Sequence, residues 1–178
     1  MIVNRVICWL VVLMTGLAAT IMDGAAGAAA EPKTAAVFDF ELIDTSLEGE
    51  IRGPQAAEQA RLGLISDHLR RLLADSEKYI VIDTAPAASA LEDAGFLHGC
   101  NGCEADIARQ IGAELAVRGT VQKVSNLILN INIYVSNAKT GGHVEGMSVD
   151  VRGNTDESWL RGVSYIVRNR LAADPAPE

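Results

Sequence analysis

Between residues 55 and 76 apolar side chains recur at helical spacing, with Leu62, Ile65, Leu69 and Leu72 on one stripe and Arg61, Asp67, Arg70 and Asp75 off it. That period predicts an amphipathic helix. Two short, nearly continuous apolar runs flank it, AAVFDF at 35–40 and YIVID at 79–83, and read as buried strands. Strand, helix and strand in that order imply a right-handed crossover and a parallel pair. Further on, Leu127, Leu129, Ile131, Ile133 and Val135 alternate with Ile128, Asn130, Asn132, Tyr134 and Ser136. This is the pattern of a strand with one face on the core.

The remaining elements follow from turn and cap signals. A short helix is expected near 87–94 and another over 104–111, with Gly112 placed as a left-handed cap. Residues 115–124 read as a strand in which Gly119 marks a bulge or a close backbone approach. Thr140, Gly141 and Gly142 turn the chain into a fifth strand over 144–152. Asn154, with Glu157 three residues later, fits a capping box for a last helix whose buried stripe is Trp159, Val163, Ile166, Val167 and Leu171. The stretch 41–54, rich in charge and glycine, is expected as a long connection, either functional or simply solvated. The expected fold is α/β (α+β). A βαβ unit leads into a three-stranded antiparallel meander, giving one mixed sheet of about five strands with helices packed on it.

The ends of the chain change the picture of where this domain works. One positive charge, Arg5, precedes an apolar run over 6–22, and Ala28, Ala29 and Ala30 then offer the small-residue site that signal peptidase prefers, ahead of Glu31 and Pro32. Residues 1–30 therefore read as a cleaved export signal, the competing reading being a retained anchor. Cys8 lies inside the apolar run, too early for a lipoprotein signal. The mature chain is expected in the periplasm or outside the cell, with a flexible start at 31–34, one domain at 35–171 and a disordered tail at 172–178 carrying Pro175 and Pro177. No later segment is long and apolar enough to span a bilayer.

Charge and composition then exclude partners. The chain carries 15 Lys and Arg against 23 Asp and Glu, a net charge of −8, which disfavours nucleic acid and anionic membranes as targets. Aromatic residues make up only 4% of the sequence, so the core is aliphatic and sugar-stacking platforms are not expected.

The sharpest chemical feature is HGCNGC, residues 98–103. In an oxidising compartment Cys100 and Cys103 suit a structural disulfide, with Gly99 and Gly102 permitting the tight loop. Two other readings stand beside it: a redox-active pair ahead of a helix, and a soft-metal site in which His98 joins Cys100 and Cys103 to hold Cu(I) or Zn(II). Haem attachment is excluded, because Glu104 and not a histidine follows Cys103. Asp39, Glu41 and Asp44 cluster after the first strand as candidates for cation or partner binding, and Asn130 and Asn132 share the less apolar face of the alternating strand. No Ser-His-Asp set and no phosphate-cradling loop is legible. The expectation is a protein without cofactor or catalysis of its own.

The order of elements resembles an envelope-protein fold shared by the TolB N-terminal domain, CsgG and LpoB. The matching residues are Ala108, Ile111, Gly112, Ala113, Val117, Gly119, Thr120 and Val121, then Ala138, Lys139, Thr140 and Gly141. The whole chain, through VFDFELIDTSLEGE and HGCNGCEADIA, looks closer still to a proteobacterial family of exported proteins of unknown function. The resemblance implies protein-protein contacts with other envelope proteins. The chain departs from CsgG and LpoB in lacking a lipoprotein cysteine, from CsgG in lacking pore-forming hairpins, and from TolB in lacking a following propeller.

Overall fold

The computed structural model describes residues 31–173. The expected signal over 1–30 lies outside the described residues, as does most of the expected tail. Six strands form one mixed sheet: β1 Lys33–Val37, β2 Glu41–Asp44, β3 Tyr79–Ile82, β4 Leu115–Ser125, β5 Ile128–Asn137 and β6 His143–Val151. The order across the sheet is β3-β1-β4-β5-β6, and β2 also pairs with β4. β1 is parallel to β3 and β4, whereas β4, β5 and β6 form the antiparallel meander. The helices are α1 Leu47–Arg52, α2 Ala56–Asp75, α3 Ala88–Ala94, α4 Cys103–Gln110 and α5 Asp156–Ile166, the last closed by a π-helical turn at Val167–Leu171. The parallel β1–β3 pair and the antiparallel meander match the sequence expectation, and β2 is a sixth strand beyond the five expected.

The stretch 41–54 differs from it, because it is not a loop. β2 runs on from β1 along the same neighbour, but with a changed register. Ala35 pairs with Leu115, an offset of 80, while Glu41 pairs with Thr120, an offset of 79. One extra residue is therefore inserted between 38 and 40, a bulge that exchanges the faces of the strand. Before it, Ala35 and Val37 face one core; after it, Phe40 and Leu42 do. Phe40 lies across Gly119, where an added Cβ would overlap its ring. A close approach is thus made at Gly119, by a side-chain ring and not by the backbone the sequence suggested. Ser46 then caps α1, its hydroxyl accepting from Gly49 N at 3.1 Å.

Two cores sit on the two faces of the sheet. On one face α2 and α5 bury Leu62, Ile65, Leu69, Leu73, Trp159, Val163 and Ile166 against Val117, Val121, Ile131 and Ile133. On the other, α4 and two short 3₁₀ turns, Ala85–Ala87 and Leu97–Gly99, cover Ala36, Phe38 and Ala116 with Ala87, Leu97, Ile107 and Ala108. This second core is small and alanine-rich. It covers only one end of the meander, and farther along that face of β5 and β6 Asn130, Ser148 and Asp150 are hydrogen-bonded to one another.

The last helix starts one residue later than its capping signal implies. Thr155, not Asn154, is the cap, its hydroxyl accepting from Ser158 N at 3.2 Å while Ser158 reaches back to Thr155 N. Asn154 is drawn away because its amide donates to buried Glu58 at 2.6 Å.

Candidate functional site

The bulge leaves β2 with one paired edge and one open edge. Glu41, Ile43 and Thr45 turn their main chains toward β4, as the Thr45 N bond to Lys123 O at 2.9 Å fixes the alternation. Leu42 and Asp44 therefore present their main-chain N–H and C=O outward, and no strand among the described residues pairs with them. A cleft of about 660 Å³ runs along this edge, lined by β2 and not by β4. Its floor is Phe40, Glu41, Leu42 and Asp44; Pro54, Gln59 and Leu62 form one wall, Gly95 and Phe96 the other. Phe96 is 69% exposed; α1 lines the cleft with Gly49, and Leu47 and Ile51, 69% and 72% exposed, lie away from it. The lining is largely apolar, yet its charged residues are both acidic.

Beneath the cleft lies a buried charge network. Lys123 is fully buried on the α2 side of β4, and its ammonium donates to Glu58 at 2.6 Å and Glu48 at 3.1 Å, with Asp44 at 3.4 Å. Burial alone draws a lysine pKa down. Here the hydrogen bonds to Glu58 and Glu48, with the charges of Glu58 and Asp44, outweigh it and hold Lys123 above its ordinary value. Burial likewise pushes Asp44 up, but Ser46 and Lys123 bring it below the usual carboxylate range. Glu48 is lowered by Asn126 and then by Lys123. Three carboxylates face Lys123 and the exposed Arg52, which meets Glu48 at 3.4 Å, so one negative charge is left over. Asp44 Oδ2 and Glu58 Oε2 are buried without a hydrogen-bond partner. Gly49 is needed here, since a Cβ would overlap the Asp44 carboxylate.

The three carboxylates singled out after the first strand do not form one site. Asp39 pairs with Arg70 at 2.7 Å. Glu41, on the opposite face from Asp44, accepts from Leu97 N at 2.6 Å, His98 N at 2.9 Å and His98 Nδ1 at 2.7 Å. Asp44 belongs to Lys123. Glu41 therefore pins the cysteine segment to the floor of the cleft, a link of 56 residues that no local pattern announces.

Cys100 and Cys103 are joined by a disulfide, Cα atoms 5.6 Å apart, with Cys103 opening α4. The metal-ligating groups brought within 4.8 Å of one another are Cys100, Cys103 and Glu104, whereas His98 is engaged by Glu41. Glu104 is buried beside Arg118 and Ser136, each at 3.4 Å. Cys100 Sγ lies 3.9 Å from Glu104 Oε2, a contact only, because a disulfide sulfur carries no proton. On the meander, Asn132 is 8% exposed and packs beside Gln122, and Arg118 stacks over Tyr134 at 4.3 Å. Asn130 lines a shallow depression of about 290 Å³ with Ile43, Val124 and Ile128. Ile128 is 62% exposed. Sequence reasoning missed Lys123, although its place in the inward series Val117, Val121, Lys123 is a readable signal.

A single mixed sheet with a parallel strand pair, an antiparallel meander and helices on both faces places the chain in the fold of the C-terminal domain of LpoB from Salmonella enterica. To that structure it is 17% identical, with a TM-score of 0.50, covering 71% of this chain and 87% of that one. Lipoprotein GNA1162 from Neisseria meningitidis is also similar, at 14% identity and a TM-score of 0.49, covering 79% and 97%. Within this fold the chain belongs to the DUF3280 family, described as "Protein of unknown function (DUF2380)", whose model matches residues 33–171. None of the curated proteins matches the sequence.

Proposed function

We propose that this protein is a periplasmic adaptor of the cell envelope, which works by holding other proteins and carries out no reaction itself. The observation that supports this reading best is the cleft along the open edge of β2, lined by Phe40, Leu42, Pro54, Leu62 and the 69% exposed Phe96. A concave, largely apolar surface beside an unpaired strand edge suits a contact with another chain. The buried charges beside it serve the fold: Lys123 with its carboxylates holds α1 and α2 to β4, and Glu41 holds the cysteine segment. Mild cross-linking of tagged protein in intact cells, followed by purification, is expected to recover the same envelope protein repeatedly. Recovery of none would contradict the adaptor.

A second reading, thiol-redox or soft-metal handling, draws on the proximity of Cys100, Cys103 and Glu104. Thiol titration and metal analysis of the native protein separate the two. The adaptor reading expects zero free thiols resistant to mild reductant and no bound metal; a readily reduced pair, or stoichiometric copper or zinc, favours the second.

A further inference from the structure

We infer that the open edge of β2 is a strand-addition site, which takes an extended, lysine- or arginine-bearing segment of a partner protein as a further strand of the sheet. The inference rests on the adaptor reading and gives it a partner chemistry. Three observations converge on it.

The first is the main chain. The bulge at 38–40 sets Leu42 and Asp44 with their N–H and C=O directed away from β4, a row of unpaired groups of the kind that captures a peptide strand. The second is shape. The cleft follows that edge and is walled on both sheet faces, by α2 through Leu62 and by Phe96. Side chains of an added strand alternate between the two faces, so each set finds a wall. The third is charge. The cleft's charged lining residues, Glu41 and Asp44, are both acidic; Glu41 is held by the 97–98 segment and Asp44 Oδ2 lies 3.4 Å from Lys123, yet the carboxylates around Lys123 outnumber the cations facing them by one. A cationic segment lying in the cleft offsets that excess, and an anionic one meets repulsion from it.

The test uses the folded protein and two synthetic peptides of about seven residues, one alternating lysine with valine and one alternating glutamate with valine. Binding is read by fluorescence anisotropy at physiological salt and by amide hydrogen exchange. The lysine peptide is expected to bind at least about tenfold more tightly than the glutamate peptide, and to slow exchange at Leu42 and Asp44. Methylating alternate backbone nitrogens of the lysine peptide is expected to cost about tenfold or more. So is Leu42→Pro, which removes an outward donor and no bond to β4. The methylated peptide decides the matter even where the proline variant folds poorly, and it separates strand pairing from the general attraction of a cation to an acidic protein. Equal binding of the two peptides, equal binding after methylation, no binding of the lysine peptide, or sedimentation showing a dimer that Leu42→Pro abolishes would each overturn the inference. If the peptides fail while cross-linking still recovers a specific envelope protein, the site is wrong and the adaptor stands. If cross-linking fails as well, both fall.

Discussion

Lys123 sits where the alternation of β4 requires an inward side chain, and the core around it supplies carboxylates in place of apolar contacts. Removing the ammonium leaves Glu58 buried beside Asp44 with nothing to neutralise them. Lys123→Met is therefore expected to cost about 3–5 kcal/mol in urea unfolding, and a loss under about 1 kcal/mol would show that the network is not structural. The same network gives a pH profile. Asp44 and Glu48 have their pKa values held below the ordinary 3.8 and 4.5, so their contribution is complete above those values and drains as the pH falls through the lowered ones. Lys123 is raised above 10.5, so its contribution is complete below that pH and is lost as the pH rises further. The melting temperature is expected to fall at both extremes, with Lys123→Met showing a smaller alkaline fall, the remainder coming from Tyr79, whose phenol pKa is held above its ordinary value by burial. Gly119 offers a separate test. Gly119→Ala must displace the Phe40 ring and is expected to cost about 1–3 kcal/mol, much of it recovered when Phe40→Leu is added; no recovery would place the strain elsewhere.

At the scale of elements, legibility followed periodicity. α2, β5 and the apolar stripe of α5 were readable because each repeats its pattern over several turns or pairs. β2 was not: Glu41, Leu42, Ile43 and Asp44 are too few to set a period, and the extra residue before them breaks the alternation begun at Ala35. The cap of α5 was ambiguous for another reason. Asn154 and Thr155 each have a partner three residues on, and the choice was made by Glu58, which is 96 residues from Asn154 in the chain and needs its amide. Thr155→Ala is expected to cost about 1 kcal/mol, the ordinary loss of a cap, and Asn154→Ala more, since it also strips a donor from a buried carboxylate. No loss of thermal stability on Thr155→Ala would restore Asn154 as the cap. Of the candidate site, the cysteine pair was legible from spacing. Its tether to Glu41 and the open edge of β2 were not, because both depend on contacts between distant segments.

For the molecule as a whole, the arrangement is asymmetric. One face of the sheet is fully covered by α2 and α5, while α4 and the 3₁₀ turns cover only part of the other and the edge of β2 stays open. Among the described residues no helix is long and apolar enough to cross a membrane. We propose that export removes residues 1–30, so intact-mass analysis of protein recovered from the periplasm is expected to give a chain beginning at Glu31; a full-length product held at the inner membrane would favour an anchor. The central claim is that contact through the β2 cleft is what this protein does. Its most direct test is a photo-cross-linking amino acid placed at Phe96, on the cleft wall, and in a second strain at Tyr165 on α5, which is exposed outside the cleft. One recurring cross-linked protein is expected from Phe96 in living cells and none from Tyr165. The same products from both positions, or none from Phe96, would contradict the claim.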